Sequence, residues 1–331
     1  MKKTQIIAEI GVNHNGKISI AKKLILHAKK VGADFVKFQC YQAKKIATDK
    51  ANKAKYQKKF NSKESQIEML NKYELSLKQL QILKEFSKKN GIKFMLSVFD
   101  LDSLKKLKLL KLRIIKIPSG ELNNFELLEQ VSETNLDVIL STGMSTFSEI
   151  SETFNYLKKR VTKKIIILHC VSSYPTKPQD VQINNILKIK NKFKVEVGFS
   201  DHTDSNEASI AAVTLGATLI EKHLTLNKNM KGPDHSSSLD PKEFLRFVKS
   251  IRYTEKIVLK KINKVSSEEL QNSKMVKKSI VAKINIKKGE KFSRKNITCK
   301  RPNNGLSASN WFKVLNKTAK KNFKINDKII L

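Results

Sequence analysis

Eight short apolar runs rich in β-branched residues recur along the chain: QIIAEIGV, FVKFQ, FMLSVF, IIKIPS, VILSTG, IIILHC, VEVGFS and TLIEKHLT. Helix-like stretches separate most of them. In ISIAKKLILHAKKVG, Ile20, Leu24, Ala28 and Val31 share one face, and Gly32 stands where a helix C-cap is expected. Ser76 with Gln79, and Thr146 with Glu149, have the spacing of capping boxes that open two further helices. Strands that are apolar throughout, alternating with helices, belong to a parallel sheet covered on both faces. Eight such units predict a closed (β/α)₈ barrel, the TIM-barrel architecture, of about 250 residues. A doubly wound open sheet is the alternative, but no G-x-G-x-x-G follows the first strand to support it.

At 331 residues and 40% hydrophobic, the chain has room for this barrel and an appended module. The expected division is a barrel over 1–262, closed by a long helix from Pro241 to Ile262, then a polar linker over 263–275 and a β-rich module over 276–331. In that module Ile280, Ala282, Ile284 and Ile286 alternate, and KKGEKF and RPNNG read as turns. The segment from Ala43 to Tyr73 is long for a connection and is expected to be partly helical and to border the barrel mouth. The start, MKKTQIIAEIG, lacks the pattern of a signal peptide, and no run approaches the ~20 apolar residues of a membrane span. Cys40, Cys170 and Cys299 form no disulfide framework, so a cytoplasmic setting is expected.

In a barrel of this kind the carboxyl ends of the strands form the active face. Reading those ends gives Glu9 with Asn13 and His14, Lys37 and Gln39, Ser97, Lys116 with Ser119 and Glu121, and Ser141. The later strands add His169 to Tyr174, Ser200 with His202, and His223. A lone serine after a strand is ordinarily a helix cap, and a lone lysine a solvated charge. Lys37, however, has apolar flanks, and a buried charge needs a partner. Something anionic is expected between Lys37 and Lys116, and the small hydroxyls around them suit a phosphate. His202 and His223 end neighbouring strands and can converge on a divalent metal, unless they are a hydrogen-bonded structural pair.

A formal charge of +36 invites a nucleic-acid or membrane-surface reading. The basic residues are 60 Lys against 6 Arg, spread along the chain, and no nucleic-acid-binding motif accompanies them. A solvated lysine-rich surface that steers anionic substrates is the simpler account. The nucleic-acid-binding alternative stays open on sequence alone, as does a Schiff-base aldolase using Lys37 or Lys116.

Taken in order, AEIGVNHNG, VKFQ, KIPSGELNN, LSTGMS, LHCVSSYPT, GFSDHT, IEKHLTL, GPDHSSSLDP and KRPNNG resemble the sialic acid synthase family, enzymes of nonulosonic acid and cell-surface carbohydrate biosynthesis. The resemblance implies a TIM barrel followed by an antifreeze-like SAF module of β-clip type, assembled as a domain-swapped homodimer. It implies condensation of phosphoenolpyruvate with N-acetylmannosamine and water to N-acetylneuraminate and phosphate, with legionaminic acid synthesis as the alternative and pseudaminic acid synthesis a more distant one. His202 and His223 match the ligands of a divalent metal, manganese by preference and magnesium or cobalt otherwise. Lys37, Ser97, Lys116, Ser119, Ser141, Ser172 and Ser200 match positions around phosphoenolpyruvate. Gln39, Tyr174 and Asp234 match positions facing the N-acetylated hexosamine, and Glu9 and Glu121 the two carboxylates of the chemistry. Arg301 matches an arginine that the swapped module inserts into its neighbour's site. Neither a nucleic acid nor a membrane is implied as a partner.

Two departures from the family pattern bear on these expectations. Ser172 and Ser173 stand where an asparagine is frequent, and Asn303 replaces the usual glycine after proline, a turn that asparagine supports through its tolerance of positive φ. IPSGELNN leans toward the sialic and legionaminic branches and away from the pseudaminic one.

Overall fold

The computed structural model describes residues 3–54, 57, 64–258 and 264–331. The chain divides into two compact units, Met1–Lys260 and Lys261–Leu331. In the first, eight parallel strands close into a barrel: β1 (Gln5–Gly11), β2 (Phe35–Cys40), β3 (Lys93–Val98), β4 (Ile114–Ile117), β5 (Asp137–Ser141), β6 (Ile165–Cys170), β7 (Glu196–Asp201) and β8 (Leu219–His223). β1 pairs with both β2 and β8, which closes the ring.

Helices between the strands bury their apolar faces on the outside of the ring. The helix Ile18–Val31 buries Ala21, Leu24, Ile25, Ala28 and Val31 and ends at Gly32, whose φ of 89° is the left-handed conformation expected of a C-cap. Both expected capping boxes form, Ser76 with Gln79 and Thr146 with Glu149. Such N-caps are each worth about 1 kcal/mol.

The inner face is layered. Ile7, Phe35, Met95, Ile139, Ile166, Leu168 and Leu219 pack together in the lower barrel. Gly198 belongs to this layer, since a Cβ there would run into Leu168 and Leu219. Two residues further along the strands, the side chain pointing inward is polar on nearly every strand, because strand side chains alternate with period two. Ile7 gives way to Glu9, Phe35 to Lys37, Met95 to Ser97, Ile114 to Lys116, Ile139 to Ser141 and Leu219 to Glu221. An apolar plug thus underlies a charged floor.

The segment between Ala43 and Tyr73 is partly helical, with helices at Ala43–Ile46 and Gln66–Tyr73, and Ile46 and Leu70 reach the barrel cavity. The closing helix runs over Pro241–Val258, and its expected end at Ile262 lies outside the described residues. No helix among the described residues is long and apolar enough to cross a membrane.

In the second unit the stretch read as a linker carries a helix, Ser267–Val276, opened by a Ser266–Glu269 capping box that the polar composition concealed. β9 (Ser279–Ala282) and β10 (Ile297–Lys300) form an antiparallel pair, and Ile280, Ala282, Ile286, Phe292, Val314 and Phe323 are part of a small core. The alternation read through Ile284 does not hold. β9 ends at Ala282 and Ile284 is exposed. Asn303 does not adopt a positive φ either; its N–H donates to the carbonyl of Lys274, so the RPNNG turn is fastened by a hydrogen bond and not by a left-handed residue.

Candidate active site

The carboxyl ends of the strands enclose a cavity of about 410 Å³. Lys37, Ser97, Lys116, Ser119, Ser141, Ser172 and Ser200 all line it, with Glu9 and Glu121, Gln39, Tyr174 and Asp234, and His202 and His223. Arg301 is an exposed residue at the RPNNG turn of the second unit. Asn13, His14 and His169, read at the same rim, serve the scaffold. Asn13 donates to the Leu224 carbonyl and to Ser238, His14 accepts from the Gly16 amide, and His169 bonds the Val181 carbonyl at 2.7 Å.

Four buried charges form the floor. Lys116 Nζ lies 3.2 and 3.0 Å from the two carboxylate oxygens of Glu221, and Lys37 Nζ lies 3.5 Å from Glu221 and 2.7 Å from Glu9. Ser200 donates to Glu221, and Lys37 donates to Ser97. Glu221 is therefore the anion expected between the two lysines, and sequence reading did not assign it a role. The signal was available. Glu221 precedes His223 by two residues on β8 and therefore shares its inward face.

The charge states follow from burial and partners. Burial works against ionising Glu221, but the Lys116 and Lys37 ammoniums outweigh it and hold the carboxyl far below the usual range. Burial pushes Glu9 up to about 7, only partly offset by Lys37, and pushes Asp234 up to about 6. Burial also lowers Lys116, while Glu221 and Glu9 overcome burial to raise Lys37. Glu121, half-buried beside Asn124, is raised by burial as well.

Around this floor the serine hydroxyls converge. Ser119 opens a 3₁₀ turn that ends at Glu121, and its hydroxyl accepts the Gly143 amide at 2.9 Å. A Cβ at Gly143 would collide with the Ser172 and Ser119 hydroxyls, so both lie directly against this glycine. The Ser141 hydroxyl is buried with no hydrogen-bond partner, a group placed for a ligand to satisfy.

The imidazoles of His202 and His223 lie 5.5 Å apart between ring centroids, and the Tyr174 ring sits 4.2 Å from that of His202. His202 directs Nδ1 to the Val171 carbonyl at 2.8 Å, which leaves Nε2 as its free electron pair. Burial depresses the His223 pKa well below the usual range, and its Nδ1 is buried without a hydrogen-bond partner, 3.9 Å from Asp234. Burial disfavours charge on His202 too, but Cys170 and the Val171 carbonyl outweigh it and raise its pKa. Among the described residues no cluster of three or more His, Cys, Asp or Glu stands ready for a metal. The two imidazoles nevertheless fit a divalent ion whose other positions are filled by water or substrate oxygens, and the unpartnered Nδ1 of His223 marks a donor set left incomplete by the protein alone.

Comparison with known proteins gives the family. Along 99% of both chains, the protein is 48% identical to N,N'-diacetyllegionaminic acid synthase of Campylobacter jejuni. It is 32% identical to human N-acetylneuraminate-9-phosphate synthase, over 89% of this chain and 82% of that one. The crystal structure of N-acetylneuraminic acid synthetase from Leptospira borgpetersenii, in complex with citrate, superposes with a TM-score of 0.72 at 32% identity, covering 82% of this chain and 90% of that one. Residues 277–329 match the SAF domain. Residues 24–264 match the NeuB family, and to that family the chain belongs.

Proposed function

We propose that this enzyme, a nonulosonic acid synthase, condenses phosphoenolpyruvate with a 2,4-diacetamido-2,4,6-trideoxymannose-type sugar and water, giving a legionaminic-type acid and phosphate. One observation carries the reaction class: a single cavity gathers a lysine-and-serine floor, two imidazoles and two carboxylates of raised pKa. The acceptor rests on the 48% identity to a diacetyllegionaminic acid synthase, against 32% to an N-acetylneuraminate-9-phosphate synthase. Apolar lining from Ile46, Leu70, Phe99 and Met144 supports it, since a 6-deoxy sugar carries a methyl group where N-acetylmannosamine carries a hydroxyl.

In this reading Lys37 and Lys116 neutralise the charge of phosphoenolpyruvate, while Ser97, Ser119, Ser141, Ser172 and Ser200 donate hydrogen bonds to it. Gln39, Tyr174 and Asp234 orient the sugar. A divalent ion held by His202 and His223, manganese by preference, would act as a Lewis acid on the sugar aldehyde. C3 of phosphoenolpyruvate forms the new bond to the aldehyde carbon with the C2–C3 π pair. The carbonyl π pair moves to the aldehyde oxygen, which ends as a hydroxyl with the proton released from water, and positive charge develops at C2. Ionised Glu9 stabilises that charge, and Glu121, with its pKa raised by burial, takes a proton from the water that attacks C2. Phosphate leaves last.

A Schiff base requires a neutral amine, and Lys37 is held charged by Glu221 and Glu9. Burial lowers the Lys116 pKa, but both oxygens of Glu221 engage its ammonium. Borohydride trapping with pyruvate is the direct test of that lysine, and the synthase reading predicts no trapping. The relatives named above are synthases, and the nucleic-acid reading finds no support among them. Cys40, Cys170 and Cys299 are free thiols, in keeping with a cytoplasmic enzyme.

The test is phosphate release and product mass with phosphoenolpyruvate, Mn²⁺ and either the 2,4-diacetamido-6-deoxy sugar or N-acetylmannosamine. The diacetamido sugar should be preferred; preference for N-acetylmannosamine would move the enzyme to the sialic branch, and no release with either would overturn the reaction. Gly143→Ala should raise the KM for phosphoenolpyruvate at least about tenfold and cost about 1–3 kcal/mol of stability, because the new methyl group pushes Ser119 and Ser172 apart. Steady-state kinetics and denaturant titration check it. The swapped homodimer predicts that Arg301→Ala raises the sugar KM while leaving Mn²⁺ binding intact; unchanged sugar kinetics would count against a lid from the second unit.

A further inference from the structure

Each candidate metal histidine is preceded by a charged residue that points the other way. Asp201 and Lys222 are register partners on β7 and β8, and strand alternation places them on the outer side of the barrel wall, directly behind His202 and His223. There the Lys222 ammonium lies 3.0 Å from Asp201 Oδ2, with both side chains at 2% exposure or less. It lies 6.0 Å from the ring centroid of Phe247, on the closing helix.

The pair does more than neutralise itself. Lys222 donates to the carbonyls of Thr203 at 2.6 Å and Ser205 at 3.1 Å. Asp201 Oδ1 accepts both the amide and the hydroxyl of Thr203 at 2.8 Å, and Oδ2 accepts the Ser209 hydroxyl at 2.5 Å. The backbone immediately after His202 is thus fastened to the residue immediately before His223.

A buried ion pair is a poor source of stability, because removing two charges from water costs about as much as their attraction returns. Replacing both partners by apolar groups is often neutral or stabilising, so stability alone does not account for this network. What the network does fix is the relative placement of two strand ends. We propose that the Asp201–Lys222 pair is a positioning clamp that sets the separation and orientation of His202 and His223 for binding a divalent cation. This rests on the reading of the two histidines as metal ligands.

The decisive variant is Asp201→Val/Lys222→Met in the full chain, which removes both charges at once, so that neither is left buried without its counter-charge. Mn²⁺ affinity is read from the free-ion signal in electron paramagnetic resonance, beside the thermal midpoint and the split between kcat and KM. The clamp predicts Mn²⁺ affinity weakened about tenfold to a hundredfold in protein that remains folded at the assay temperature, the range found when groups supporting a metal ligand are removed. The thermal midpoint falls, because Thr203, Ser205 and Ser209 lose buried hydrogen-bond partners. Excess Mn²⁺ should restore part of the activity. Ser209→Ala, which keeps the ion pair and removes one donor to Asp201, should weaken Mn²⁺ binding by a smaller factor, and it decides the matter if the double variant does not fold. Wild-type Mn²⁺ affinity in the double variant, or in Ser209→Ala where only that protein folds, would overturn the clamp alone. A wild-type protein that takes up no Mn²⁺ would overturn both the clamp and the metal reading beneath it.

Discussion

Replacing both His202 and His223 by alanine is expected to abolish Mn²⁺ binding and to lower kcat/KM by at least roughly a thousandfold. Lewis-acid polarisation of a carbonyl is worth several kcal/mol, and each ~1.4 kcal/mol is a factor of ten in rate. Cys170, Glu221 and Asp234 remain in the cavity, but among the described residues no group of three or more His, Cys, Asp or Glu is placed to hold a metal once both imidazoles are gone. The fold should survive, because the two rings sit above the apolar plug and not within it. Acid should mimic the mutation in part. Burial keeps His223 neutral far into the acid range, whereas the raised pKa of His202 makes it the site where protons compete with metal. Mn²⁺ affinity measured from pH 8 down to pH 5 should fall as His202 takes up a proton. Phosphate release by the double alanine protein at a wild-type rate, with or without metal, would remove the two histidines from the mechanism.

The barrel was legible because its signal is redundant: eight β-branched runs, the helix faces between them and two capping boxes all point to one architecture. The rim residues were legible for a related reason, since strand ends and the active face of a barrel coincide. Reading the strands as apolar throughout concealed a finer pattern. The inner face changes from apolar to polar partway along the strands, as from Leu219 to Glu221 on β8, which is why Glu221 went unassigned between Leu219 and His223. Asp201 and Lys222 were harder still. In sequence they are two more charges in a chain with a formal charge of +36, and only the register between β7 and β8 pairs them. The helix Ser267–Val276 was concealed for the opposite reason. None of its residues is buried, so no apolar period marks it and only its capping box does.

Glu9→Gln is expected to change both the stability profile and the rate profile with pH, and the two changes share one cause. In the unfolded chain the Glu9 carboxyl ionises near its ordinary 4.5, whereas burial in the native barrel moves it up to about 7. The native state therefore holds the proton more tightly, so the contribution to stability is full below pH 4.5 and is lost as pH rises through 7. A rise from 4.5 to about 7, at ~1.4 kcal/mol per unit, makes that loss about 3 kcal/mol as an order of magnitude. Glutamine cannot ionise, so the variant should match the wild type near pH 4.5 and exceed it near pH 8 in denaturant titrations. Activity should move the other way. The ionised carboxylate is the form that stabilises positive charge at C2, so the wild-type rate should rise with pH through an acid limb near 7. Glu9→Gln should flatten that limb and lower kcat by about a hundredfold to a thousandfold, the range for losing one preorganised electrostatic partner of a transition state. An acid limb that persists unchanged in the variant would assign the titration to another group. A stability gain without a loss of rate would mean that Glu9 serves Lys37 alone, as the nearer of the two carboxylates that keep that lysine charged.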